Sequence, residues 1–124
     1  MQIALTDRES DLMDILWERG ASTVAEVQRE LEDELAYTTV LSILQTLERK
    51  GYVGHQEEGR VHRYRPLIER VAARRSALKH LTAKLFKGSL EQLLLHAVEE
   101  HNLSDAEIKR IRSLLDQHRK KNPS

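Results

Sequence analysis

Between Tyr37 and Arg49 the chain carries side chains suited to one kind of chemistry. At helical spacing Val40, Ile43, Leu44 and Leu47 form an apolar stripe, which leaves Tyr37 at the opening turn and Thr38, Thr39, Ser42, Gln45, Thr46 and Arg49 off it. These are short hydroxyls, one amide and one guanidinium, with no carboxylate before Glu48. Such a face can lie in the major groove of a nucleic-acid duplex, donating to phosphates and reading base edges without self-repulsion. The plainer alternative is a solvated polar face, but those usually mix Glu with Lys. A second set follows in Arg60, Arg63 and Arg65. Each guanidinium is a bidentate donor, suited to positioning on backbone phosphates rather than to reading sequence. Glu57 and Glu58 beside them keep a turn solvated and count against deep insertion of its tip.

Other chemistries find little support. The histidines are His55, His62, His80, His96, His101 and His118, and no two stand four apart on a helix. His96 with Glu99 or Glu100 supplies two donors, too few for a metal site. Surface or structural roles are therefore expected, with no metal and no cofactor. No nucleophile elbow, no Gly-rich phosphate loop and no His-Glu-x-x-His is present, so the chain does not read as an enzyme and no small-molecule substrate is expected. The absence of cysteine excludes disulfides, thiolate ligands and cysteine nucleophiles.

The elements that must position these residues are mostly helical. Thr6 with Glu9 and Thr23 with Glu26 are capping boxes that open the first two helices. Leu12, Ile15 and Leu16 mark the buried face of one, and Val24, Val27 and Leu31 that of the other. Gly20 stops the first helix and Gly51 the third. The period then changes. Residues 52–56 and 60–65 are β-tolerant segments around Glu57-Glu58-Gly59, a hairpin whose glycine takes a positive φ, and Pro66 ends its second strand. Val61 and Tyr64 lie on opposite faces, so the pattern leaves open which face is buried. Three helices follow. Residues 68–87 offer Val71, Leu78, Leu81 and Leu85 as buried positions; Ser89 with Gln92 and Ser104 with Glu107 cap the last two. The order predicts a mainly α fold with a small β-hairpin: a winged helix-turn-helix over residues 1–66, then a helical domain over 67–124.

Length, composition and charge agree with this. At 124 residues, with 40% hydrophobic and 32% charged, the chain can build a core of one small domain plus an appendage. No apolar run exceeds three residues, which argues against a membrane span or a secretory h-region and makes the cytoplasm the expected location. Five aromatics are too few for a single-strand stacking platform. The zero net charge is unevenly spread: −7 over residues 1–34, +2 over 35–66 and +5 over 67–124. Local rather than net charge decides whether a surface can face phosphates. The acidic start gives some support to a different class of function, a winged helix used purely as a protein–protein interaction module.

The last helices carry more apolar side chains than an appendage can hide. Leu90, Leu93, Leu94, Leu95, Ala97 and Val98 cover most of one helix circumference, and such a helix needs neighbours on more than one side. In so short a chain the natural neighbour is a second copy. The expected dimer surface is Leu78, Leu81, Leu85, Leu90, Leu93, Leu94, Val98, Ile108, Ile111 and Leu115. A dimer also sets two groove-reading helices about one DNA turn apart, matching a pseudo-palindromic operator.

Taken in order, these pieces resemble the penicillinase-repressor family of bacterial regulators, the BlaI/MecI/CopY type. The resemblance spans nearly the whole chain. It rests on Leu5-Thr6 through Ile15-Leu16-Trp17, on residues 23–27 (Thr-Val-Ala-Glu-Val) and on Tyr37-Thr38-Thr39-Val40. It continues with residues 47–52 (Leu-Glu-Arg-Lys-Gly-Tyr), with Glu58-Gly59-Arg60 leading to Tyr64-Arg65-Pro66, and with Leu103-Ser104 followed by Glu107-Ile108. It implies a homodimeric repressor on operators of genes for β-lactamase, penicillin-binding proteins or copper handling. It further implies relief either through a membrane sensor-protease system that leads to cleavage in the dimerisation domain, or through a metal-sensing C-terminal cysteine cluster. This chain departs from both: it has no cysteine, and the Asn-Phe pair cleaved in the antibiotic-responsive branch aligns with His96-Ala97.

Overall fold

The computed structural model describes residues 2–123. The order is α1 (Asp7–Arg19), β1 (Ser22–Thr23), α2 (Val24–Glu30), α3 (Tyr37–Arg49), β2 (Val53–Glu58), β3 (Val61–Pro66), α4 (Arg70–Phe86), α5 (Leu90–Glu100) and α6 (Asp105–Lys121). Both expected capping boxes close reciprocally. Thr6 and Thr23 accept from the amides of Glu9 and Glu26, whose carboxylates accept the threonine amides in return.

The hairpin is longer than the sequence pattern suggests. Glu58 pairs with Val61, leaving Gly59 and Arg60 as a two-residue turn. Gly59 has φ +63 and Arg60 does not share the positive φ, the pattern of a type II′ turn with glycine at its first position. β1 is a third strand that periodicity could not reveal in two residues: Ser22 pairs with Tyr64 and Thr23 with Arg63, giving the order β1-β3-β2. The open question of the buried face is answered by Val53 and Tyr64, which share one face and are each 1% exposed, whereas Val61 is 47% exposed.

Two compact units divide the chain, Met1–His80 and Leu81–Ser124. The first has a single core of Leu12, Met13 and Leu16 from α1, Val24 and Val27 from α2, Val40, Leu44 and Leu47 from α3, and Tyr52, Val53 and Tyr64 from the hairpin region. It extends past the Pro66 limit expected for the winged-helix domain, because the first turns of α4 are tied to the N-terminal segment and to α1. Ala73 is buried. The Ser76 hydroxyl accepts from the Ile3 amide at 2.8 Å and donates to the Ile3 carbonyl at 3.1 Å. Trp17 Nε1 donates to the Ile68 carbonyl at 2.9 Å, and the Arg70 guanidinium lies 5.4 Å from the Trp17 ring centroid.

The second unit holds the end of α4, then α5 and α6. Lys87 (φ 50) and Gly88 (φ 83) turn the chain out of α4, and the Gly88 amide donates to the Thr82 carbonyl at 2.9 Å. Neither α5 nor α6 has a single buried residue. Within one chain, burial expected in α4 at Val71, Leu78, Leu81 and Leu85 falls to Ala73 instead, and those four remain 41–66% exposed. No helix among the described residues is long and apolar enough to cross a membrane.

Candidate nucleic-acid interface

The candidate interface is built on α3. Val40, Leu44 and Leu47 anchor it in the core, with Ile43 half-buried beside them. The opposite face therefore points to solvent: Tyr37, Thr38, Thr39, Ser42, Gln45 and Arg49 are exposed and Thr46 is half-buried. The turn before it is held by Gln28, whose side-chain amide donates to the Leu35 carbonyl at 2.9 Å. Ala36 is the N-cap of α3, with no side-chain cap bond and no acidic residue in the first turn, so the positive end of the helix dipole is left uncompensated.

Charge on this helix is arranged by local bonds. Glu48, its lone carboxylate, is turned toward the hairpin, where His55 Nδ1 donates to it at 2.6 Å. Thr46 donates to the Ser42 carbonyl at 3.0 Å and accepts from Arg49 Nη2 at 2.8 Å, which lays the guanidinium along the helix surface. Lys50 turns inward instead, its ammonium 2.8 Å from Glu9, a side chain only 5% exposed. Burial pushes the Glu9 carboxyl up, but hydrogen bonds from Lys50 and Thr6 outweigh it and hold the group below the usual carboxylate range.

The three hairpin arginines do not form one set. Arg60 sits in the turn and Arg65 on β3; both are exposed, and neither makes an ion pair among the described residues. Arg63 is engaged. It bonds Glu58 on the neighbouring strand, donates to Glu26 of α2 at 3.0 Å and reaches the Ala21 carbonyl at 3.3 Å. Its Glu58 bond chiefly holds its pKa above the ordinary arginine value. The Thr23 amide, with Arg63 and Arg19 adding to it, holds Glu26 low. Arg63 thus ties β3 to α2.

On the other face of the hairpin the structure assembles a group that helical spacing could not reveal. His55, Glu57 and His62 each present a ligand atom within 4.8 Å of the other two. In the second unit, His96 and Ala97 lie inside α5, the His96 ring edge-on to Phe86 at 5.6 Å and the Ala97 carbonyl accepting from His101 Nδ1 at 2.8 Å.

The sequence model of the penicillinase repressor family matches residues 5–117. The transcriptional regulator BlaI of Mycobacterium tuberculosis is 35% identical over 107 residues, covering 83% of this chain and 78% of that protein. The methicillin resistance regulatory protein MecI of Mammaliicoccus sciuri is 23% identical over 114 residues, 90% of this chain and 93% of its own. The solution structure of the DNA-binding domain of the repressor BlaI superposes with a TM-score of 0.50 at 30% identity, covering 56% of this chain and 90% of that one. With the family model spanning nearly the whole chain, the protein belongs to the penicillinase repressor family.

Proposed function

We propose that the protein is a sequence-specific transcriptional repressor that binds duplex DNA as a homodimer on a pseudo-palindromic operator, in control of β-lactamase, cell-wall or stress- and metal-response genes. The observation that carries this reading is the exposed face of α3. Thr38, Thr39, Ser42, Gln45 and Arg49 face solvent together while Glu48 is drawn off by His55. A helix presenting donors without a free carboxylate fits the major groove, and the exposed Arg60 and Arg65 suit the adjoining backbone. The dimer reading draws on Leu90, Leu94, Val98, Ile111 and Leu115, all 45–56% exposed on helices that bury nothing within one chain. The partners of this reading are DNA and a second copy of the chain. A membrane sensor-protease system is carried into this proposal as the inducing partner only by the resemblance to the antibiotic-responsive branch.

The test is a titration of duplex DNA over a range of salt. A repressor loses affinity steeply as salt rises, while a winged helix that binds only proteins shows weak binding at every concentration. Thr39→Ala and Gln45→Ala are expected to narrow the gap between cognate and random duplexes, since side chains facing base edges carry the preference. Retention of the full gap in both variants would remove α3 from the reading role.

A further inference from the structure

The hairpin register places His55, Glu57, His62 and Tyr64 on one face. Glu57 is opposite His62 and His55 opposite Tyr64, with side chains alternating along each strand. At the base of this face Tyr64 is buried; toward the tip the face opens to solvent, and there the two imidazoles stack with centroids 4.4 Å apart and planes 17° apart. His62 Nε2 already lies 3.6 Å from Glu57 Oε1, and the three ligand atoms fall within 4.8 Å of one another. Ligand atoms around a four-coordinate ion with bonds of about 2.0–2.2 Å stand roughly 3.4 Å apart, so small side-chain rotations close the set.

We propose that His55, Glu57 and His62 form a binding site for a divalent transition ion of the zinc type on the hairpin. Two nitrogens and one carboxylate oxygen, with no thiolate, are a donor set for such ions rather than for magnesium or calcium. His55 uses Nε2, because its Nδ1 donates to Glu48 at 2.6 Å. That carboxylate fixes the ring as outer partners of metal-bound histidines do. Tyr64 backs the His55 ring at 5.5 Å. The positively charged Arg63 pairs in register with Gln56 on the opposite face and is occupied by Glu58 and Glu26, so it does not compete. Half-exposed His62 and open Glu57 leave the fourth position to water. Since Glu48 belongs to α3, an occupied site also fastens the hairpin to that helix.

The test uses the full chain without DNA, so its result is independent of the repressor reading. Titration with cobalt(II), followed by its visible absorption, and calorimetry with zinc(II) are expected to give one ion per chain. His55→Ala and His62→Ala each weaken it roughly tenfold or more, and Glu48→Gln roughly tenfold. His118→Ala leaves it unchanged. All four positions are partly or fully exposed, and circular dichroism of each variant checks that it is folded. Zinc raises the thermal midpoint of the parent protein and not that of the His55→Ala, His62→Ala double variant. No binding at 100-fold excess zinc, or equal affinity in the parent and the double variant, overturns the site.

Discussion

Glu9 and Arg63 show how a charged side chain gains a structural role here from what surrounds it. Glu9 closes the α1 capping box and also receives Lys50 from the end of α3, so one carboxylate joins two helices of the core. Its lowered pKa means that this stabilisation is fully present above the ordinary carboxylate value of 4.5 and is lost as the pH falls below it. Lys50→Met leaves burial to act on the carboxyl with less compensation, at a cost of about 1–3 kcal/mol near neutral pH. Melting curves followed from pH 7 to pH 3 should therefore converge for parent and Lys50→Met once Glu9 is protonated in both; a constant gap down to pH 3 would remove Glu9 from the account. The hairpin arginines divide in the same way. Arg60→Ala should flatten the salt dependence of DNA binding by about one unit per lost phosphate contact with little effect on melting. Arg63→Ala should lower the melting temperature more, since it releases β3 from Glu26 and Ala21. Equal melting of the two variants would mean that the Arg63 bonds carry no stability.

At the scale of elements, the start of α4 belongs with the winged helix. A chain ending at residue 66 loses the Ile68 carbonyl from Trp17, the buried Ala73 and the Ser76 bonds to Ile3. A chain ending at residue 80 keeps them all. The 1–80 fragment is expected to melt at a clearly higher temperature than the 1–66 fragment, measured by circular dichroism; identical midpoints would make the α4 contacts incidental. This limit was not legible in the sequence because Ala73 and Ser76 are small and fall outside any apolar stripe. Elements set by local rules were legible: the Thr6 and Thr23 capping boxes, the helix starting at Tyr37 and the positive φ of Gly59. What escaped depends on pairing between distant residues. β1 exists only because Ser22 and Thr23 meet β3, and His55 meets His62 only through the hairpin register. The α3 face was readable from its stripe, but the diversion of Glu48 by His55 and of Arg63 by Glu26 needed three dimensions.

At the scale of the whole molecule, the proposed dimer and its proposed release from DNA rest on the same surface. Leu94→Asp places a charge on a face that a second copy would cover, so sedimentation of the full chain at micromolar concentration should show a dimer for the parent and a monomer for the variant. A monomeric parent ends the dimer reading. If release follows the cleavage route of the antibiotic-responsive branch, it depends on what can be cut from that surface. The bond between His96 and Ala97 lies within α5, followed by the rest of that helix and all of α6. Breaking it separates Leu90 and Leu94 from Val98, Ile108, Ile111 and Leu115, so the apolar surface loses its second half from the covalent chain. In the proposed dimer, each DNA half-site would then be held by one winged helix without the effective concentration that tethering supplies. This coupling needs no particular sequence at the cut, but the protease does. The bond is helical, with the Ala97 carbonyl engaged by His101 and the His96 ring against Phe86, so cleavage also requires local opening. A protease specific for Asn-Phe is therefore expected to leave the parent intact and to cut the His96→Asn, Ala97→Phe variant slowly, faster in mild denaturant that opens α5. Fragment masses over time decide between these outcomes, and efficient cutting of the parent at this bond would show that the residues flanking it do not protect the chain.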